Sequence, residues 1–140
     1  MMRTHAEFRA RRETIGLSQR DVAEAMGVQE RSARRWEAPG NYLAPDDAWE
    51  WLERMEATYA KGVAAALAQV ADIAEDAGGL PETVALTYYR SQREYDELGR
   101  DEGPYGFRNA MTREVAQKLR ERGIKAVIAF TDEDAVTHDE

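Results

Sequence analysis

The apolar residues of this chain first depart from a helical period at Gly78-Gly79, and that change restricts the fold more than any other feature. Before the glycine pair, Leu52, Met55, Tyr59, Val63, Leu67, Val70, Ile73 and Ala77 recur at threes and fours. That spacing lays side chains along one face of a helix. Pro45 suits its first position, with Asp46 and Asp47 in the first turn. One helix over 45–77 and two helices joined near Lys61-Gly62 both fit, and the glycine favours two. After the pair, Thr83 to Tyr89 (TVALTYY) and Ala126 to Phe130 (AVIAF) are β-branched and aromatic, and read as strands. Between them, Ser91 and Glu94 have the spacing of a capping box for a short helix through Leu98. Gly99 to Gly103 is a charged turn. Phe107, Met111, Val115 and Leu119 predict a helix to about Arg122, with Gly123 as its cap. The expected class is mainly α with a small α+β part, in which an N-terminal helical bundle precedes a β-α-α-β region. Two strands are marginal alone, so a homodimer sharing a four-stranded sheet is expected.

The first 40 residues read as three short helices. Phe8, Arg12 and Ile15 share one face, and Gly16 breaks the run. Ser18 is a good N-cap, with Asp21 in the first turn, and Val22, Ala23 and Met26 form the next apolar face. Gly27 ends that helix, and Val28 is expected to be buried in the turn. Gln29 to Glu37 follows, with Ala33 and Trp36 inward, until Pro39-Gly40 stops it. Trp49, Trp51 and Tyr59 are expected to pack against this segment. The resulting division is a domain over 1–77, a dimerisation domain over 78–131 and an acidic, frayed tail over 132–140.

A net charge of −8 over 140 residues at first argues against nucleic acid, because phosphate binding needs a basic surface. The charge is unevenly spread. Residues 1–40 carry net +2, residues 41–80 net −6 and residues 81–140 net −4. The acidity therefore lies outside the N-terminal helices. The chain has no cysteine, which excludes disulfides, thiolate zinc sites and cysteine nucleophiles. His5 and His138 lie near opposite ends, which argues against a histidine metal or catalytic cluster; neither carries a functional assignment. No stretch approaches the roughly 18 apolar residues of a membrane span, and the N-terminus lacks a signal-peptide apolar region. The expectation is a cytoplasmic protein without a bound metal or cofactor.

The most informative stretch is Phe8-x3-Arg12-x3-Gly16-Leu17-Ser18-Gln19-x2-Val22-Ala23-x3-Gly27-Val28-x3-Ser32-x3-Trp36-Glu37. Its small and apolar positions would lock two helices across a tight turn. It resembles the helix-turn-helix of the lambda-repressor/Cro-like (xenobiotic-response-element type) regulators over about 30 residues. The resemblance implies that the third helix enters the major groove of DNA. It places Glu30, Arg31 and Arg35 where the family reads base edges, and Gln19, Ser32 and Arg34 at phosphates. It also implies a buried structural ion pair between Arg12 and Glu37. Gln29 stands where the family usually has a Ser or Thr cap. More of the chain, through Ala44-Pro45-Asp46-Asp47 and Leu86-Thr87-Tyr88-Tyr89, looks like the anti-CRISPR-associated autorepressors, which implies a C-terminal dimerisation domain.

Blander readings stand beside these. Arg31, Arg34 and Arg35 also fit a solvated face, as do Glu50, Glu53 and Glu56. Trp36 fits a core anchor better than a stacking platform. Tyr88, Tyr89 and Tyr95 fit strand packing or a dimer contact better than base stacking. The favoured function is a homodimeric, sequence-specific DNA-binding repressor acting on double-stranded DNA. An antitoxin-like module with a toxin-like protein partner, and an RNA-binding regulator, are the alternatives. No nucleophile–base pair, metal-ligand spacing or phosphate-cradling glycine loop points to an enzyme.

Overall fold

A computed structural model describes residues 2–133. The acidic residues 134–140, His138 among them, lie outside the described residues. The elements run α1 (His5–Thr14), α2 (Gln19–Met26), α3 (Glu30–Trp36), α4 (Asp46–Ala77), β1 (Thr83–Tyr88), α5 (Gln92–Leu98), α6 (Tyr105–Glu121) and β2 (Lys125–Phe130). The chain is thus mainly helical with one small sheet. It forms two compact units that divide between Tyr59 and Ala60, inside α4.

Capping sets the helix ends. Ser18 Oγ accepts from Asp21 N at 3.0 Å while Asp21 Oδ2 accepts from Ser18 N at 2.8 Å, so the first turn of α2 is closed from both sides. At its other end Gly27 takes φ +66°, which a side chain would strain. Val28 N then donates to Ala23 O at 3.0 Å, the bond that completes a Schellman cap. The same five-residue backbone bond closes α1 (Leu17 to Arg12), α4 (Gly79 to Ala74) and α6 (Ile124 to Leu119).

The first unit is built around Phe8, Val22, Ala33, Trp49 and Leu52, all buried. The Phe8 ring meets Trp49 edge-on with centroids 5.0 Å apart, and meets Trp36 at 6.4 Å. Trp49 Nε1 donates to Ala44 O at 3.1 Å, so its polar end is satisfied inside the core. Trp36 and Trp51 are half-buried. Val28, expected in the interior, is 37% exposed: the Schellman turn uses its backbone N–H and leaves its side chain at the surface.

Residues 46–77 form one helix, not the two that Gly62 suggested, and Pro45 stands just before its first residue. A mid-helix glycine costs about 1 kcal/mol relative to alanine, which breaks a helix only when nothing opposes it. Here a Cβ at position 62 would lie 2.5 Å from Met111 Sδ. The bare backbone is what lets α6 side chains approach α4.

In the second unit the strands are parallel, paired from Thr83↔Lys125 to Tyr88↔Phe130, with α5 and α6 forming the crossover. Phe107, Met111, Val115 and Leu119 are all buried, as the four-residue spacing predicts. Asn109 is buried too, 4% exposed. Its amide accepts from Tyr89 N at 3.0 Å and donates to Tyr89 O at 2.8 Å, which fastens the end of β1 to α6. Ser91 caps α5 through Glu94 N, but Glu94 reaches back to Arg90 N rather than to Ser91 N, so the capping box is only half formed.

A candidate nucleic-acid interface on α3

Alpha-helix geometry puts Arg31, Arg34 and Arg35 within an arc of about 100° on α3, opposite the buried Ala33. All three are exposed. None has a carboxylate partner among the described residues; Arg31 donates only to the neighbouring Gln29 Oε1, at 3.2 Å. The arginines of α1 and α2 differ. Arg9 pairs with Glu13, Arg11 with Glu56, Arg12 with Glu37 and Arg20 with Glu24. The hydrogen bonds Arg11 donates to Glu56, and then the Glu56 charge, hold Arg11 above the ordinary arginine range. Glu30 is exposed beside the α3 cations and Ser32 is half-buried.

Two contacts hold this helix. Arg12 Nε and Nη2 donate to the two oxygens of Glu37 at 2.7 Å each, with the side chains 9% and 2% exposed. This is the two-pronged fork that gives arginine–carboxylate pairs their direction. Arg12 Nη1 also donates to Leu17 O at 2.8 Å, and Gln19 Nε2 donates to Glu37 Oε1 at 3.2 Å. One carboxylate just after α3 therefore gathers residues from α1 and α2. Gln19, singled out for phosphate contact, has its amide committed to this seam.

The second contact was not visible in the sequence. His5 Nδ1 lies 2.7 Å from Trp36 O, at the C-terminal end of α3. That carbonyl is one that a helix leaves unsatisfied, and an imidazole N–H there satisfies it. The N-cap of α3 supplies no such contact. Gln29 occupies the N-cap position and accepts from the Arg31 side chain, but its own side chain makes no bond to the first backbone N–H groups of α3. Beyond α3, Gly40 takes φ +91° and Asn41 Nδ2 donates to Ala38 O at 3.1 Å. This turn presents Tyr42, 93% exposed. Its position in a Pro-Gly-Asn linker gave no sign that an aromatic ring would be displayed there.

Tyr88, Tyr89 and Tyr95 of the second unit are engaged. Tyr95 is buried against Tyr89 with ring centroids 4.9 Å apart, and Tyr88 Oη accepts from Arg113 Nη1 at 2.6 Å. Among the described residues no group of His, Cys, Asp and Glu side chains could hold a metal ion, and no helix is long and apolar enough to cross a membrane. No protein-family model matches the chain, and comparison with curated proteins finds no match.

Proposed function

We propose that the chain is a sequence-specific DNA-binding transcriptional regulator, acting as a homodimeric autorepressor through a helix-turn-helix made of α2, the Gly27–Gln29 turn and α3. The observation that carries this reading is that Arg31, Arg34 and Arg35, on one face of a helix held by a buried ion pair, have no carboxylate partner among the described residues. Exposed cations without internal partners can exchange water for phosphate and base edges at little loss. Arg31 and Arg35 donate to guanine O6 and N7 in the major groove, each contact giving about 1–3 kcal/mol of discrimination. Glu30 accepts from cytosine N4, while Ser32, Arg34 and the backbone at the start of α2 bind phosphate. Pairing of β1 or β2 with the same strand of a second chain supplies the two-fold axis. The acidity of residues 41–140 repels DNA and keeps non-specific affinity low.

Selection of sites from a random DNA pool tests the reading. The expected product is an inverted repeat with half-sites about one helical turn, 34–36 Å, apart. Arg31→Ala and Arg35→Ala each abolish binding to that site while helix content by circular dichroism stays unchanged. The absence of any enriched site, or binding that survives both substitutions, overturns the proposal.

A further inference from the structure

A second cationic site lies in the other unit. A cleft of about 410 Å³ opens at the C-terminal ends of both strands, with Thr87, Tyr89, Arg100, Arg108, Thr112 and Thr131 on its walls. In parallel α/β arrangements this end of the sheet is where ligands collect, because loops and helix N-termini converge on it. Arg100 has no carboxylate partner among the described residues, while Arg108 pairs with Asp101. Two guanidinium groups against one carboxylate leave the cleft positive in a chain whose net charge is −8. The Thr87 and Thr131 hydroxyls add donors, and Tyr89 with the exposed Leu98 adds an apolar wall.

The walls are also fixed in advance. Asn109 holds both backbone groups of Tyr89. Thr112 Oγ1 donates to Thr87 O at 3.3 Å. Gln92 bridges the loop before α6, donating to Gly103 O at 2.8 Å and accepting from Tyr105 N at 3.0 Å. At Gly99 the chain presses on α5 so closely that a Cβ would lie 2.6 Å from Tyr95 O. Arg90 reaches from the end of β1 to Asp132 after β2 at 2.7 Å. At the opposite end of the sheet Arg120 Nη2 donates to Ala126 O at 2.9 Å. Side-chain bonds that immobilise loops beside an unpaired cation are the preorganisation a small ligand needs.

We infer that this cleft binds a small organic anion, its phosphate or carboxylate group held by Arg100 and Arg108 and its apolar body lying on Tyr89 and Leu98. Arginine forks suit both head groups. Asp101 acts as the internal competitor that the incoming anion displaces from Arg108.

The test is an amide NMR titration of the full chain with three probes of similar body: phenyl phosphate, benzoate and uncharged benzyl alcohol. The expected result is saturable movement of the Thr87, Thr112 and Thr131 resonances with at least one anion, at a Kd of about 0.1–1 mM. The tighter anion identifies the head group. Arg100→Gln weakens that binding about tenfold, Asp101→Asn strengthens it several-fold, and Arg93→Gln on α5 leaves it unchanged. Saturation by neither anion overturns the inference. So does equal binding of benzyl alcohol, or wild-type affinity in Arg100→Gln and Arg108→Gln alike. Because the readout is residue-specific, anion binding at the α3 arginines is distinguished from binding in the cleft.

Discussion

Arg12 and Arg35 belong to the same unit and carry the same charge, yet their surroundings are opposite. Arg12 is buried, with its guanidinium donors directed at Glu37 and Leu17. Arg35 stands in solvent without a carboxylate partner among the described residues. Among the described residues every buried side-chain nitrogen and oxygen has a hydrogen-bond partner. The interior thus treats charge as something to be cancelled, whereas the outer face of α3 leaves it available. A cation without an internal partner contributes little to folding, and its surroundings leave it open to an external one.

The strongest way to break this comparison is to remove one partner of the buried pair. Arg12→Met is expected to cost about 3–5 kcal/mol in urea denaturation, because it strands the Glu37 carboxylate in the interior. Arg12→Met with Glu37→Leu recovers much of that loss, since no charge is then stranded. Arg35→Ala stays within about 0.5 kcal/mol of the parent. If Arg12→Met loses no more than Arg35→Ala, the two arginines do not differ in the way described.

A neutral interior site sharpens the contrast. Asn109→Leu removes both partners of Tyr89 while keeping the side chain's bulk, and the expected loss is about 2–3 kcal/mol. Hydrogen exchange at the Tyr89 amide should quicken with it; unchanged protection would mean that β1 does not depend on Asn109.

The smallest effect is expected at a pair that is exposed but joined. Hydrogen bonding to Arg90 lowers the Asp132 pKa below the ordinary 3.8. A lowered carboxylate pKa gives stabilisation that is present above the ordinary value and fades as pH falls through the lowered one. Carboxyl-carbon NMR should show the Asp132 midpoint below 3.8 in the parent and near 3.8 in Arg90→Gln. Identical midpoints would place this surface pair with the unpaired arginines.

Much of the fold was legible because its signals are local. The threes and fours of Phe8, Arg12 and Ile15, the Ser18–Asp21 box and the glycine after each helix are short-range patterns that tertiary contacts did not override. The strands were visible from their β-branched content, but their parallel sense was not, since composition carries no strand direction. Gly62 misled for a related reason. A glycine in a helical pattern reads as a joint until the residue opposite it is known, and Met111 lies 49 positions away. At the α3 site, the cluster of arginines was plain in the sequence. The bonds of Gln19 to Glu37 and of His5 to Trp36 were not, because each joins segments that only folding brings together.

The contact between Gly62 and Met111 also ties two distant positions together. The space on α4 that a side chain would fill is already occupied by the thioether from α6. The thioether is the far end of a flexible side chain, so a methyl group at position 62 obliges Met111 to turn aside rather than the helices to part. The two sites thus share one volume between two helices, and substitutions at them are expected to combine non-additively.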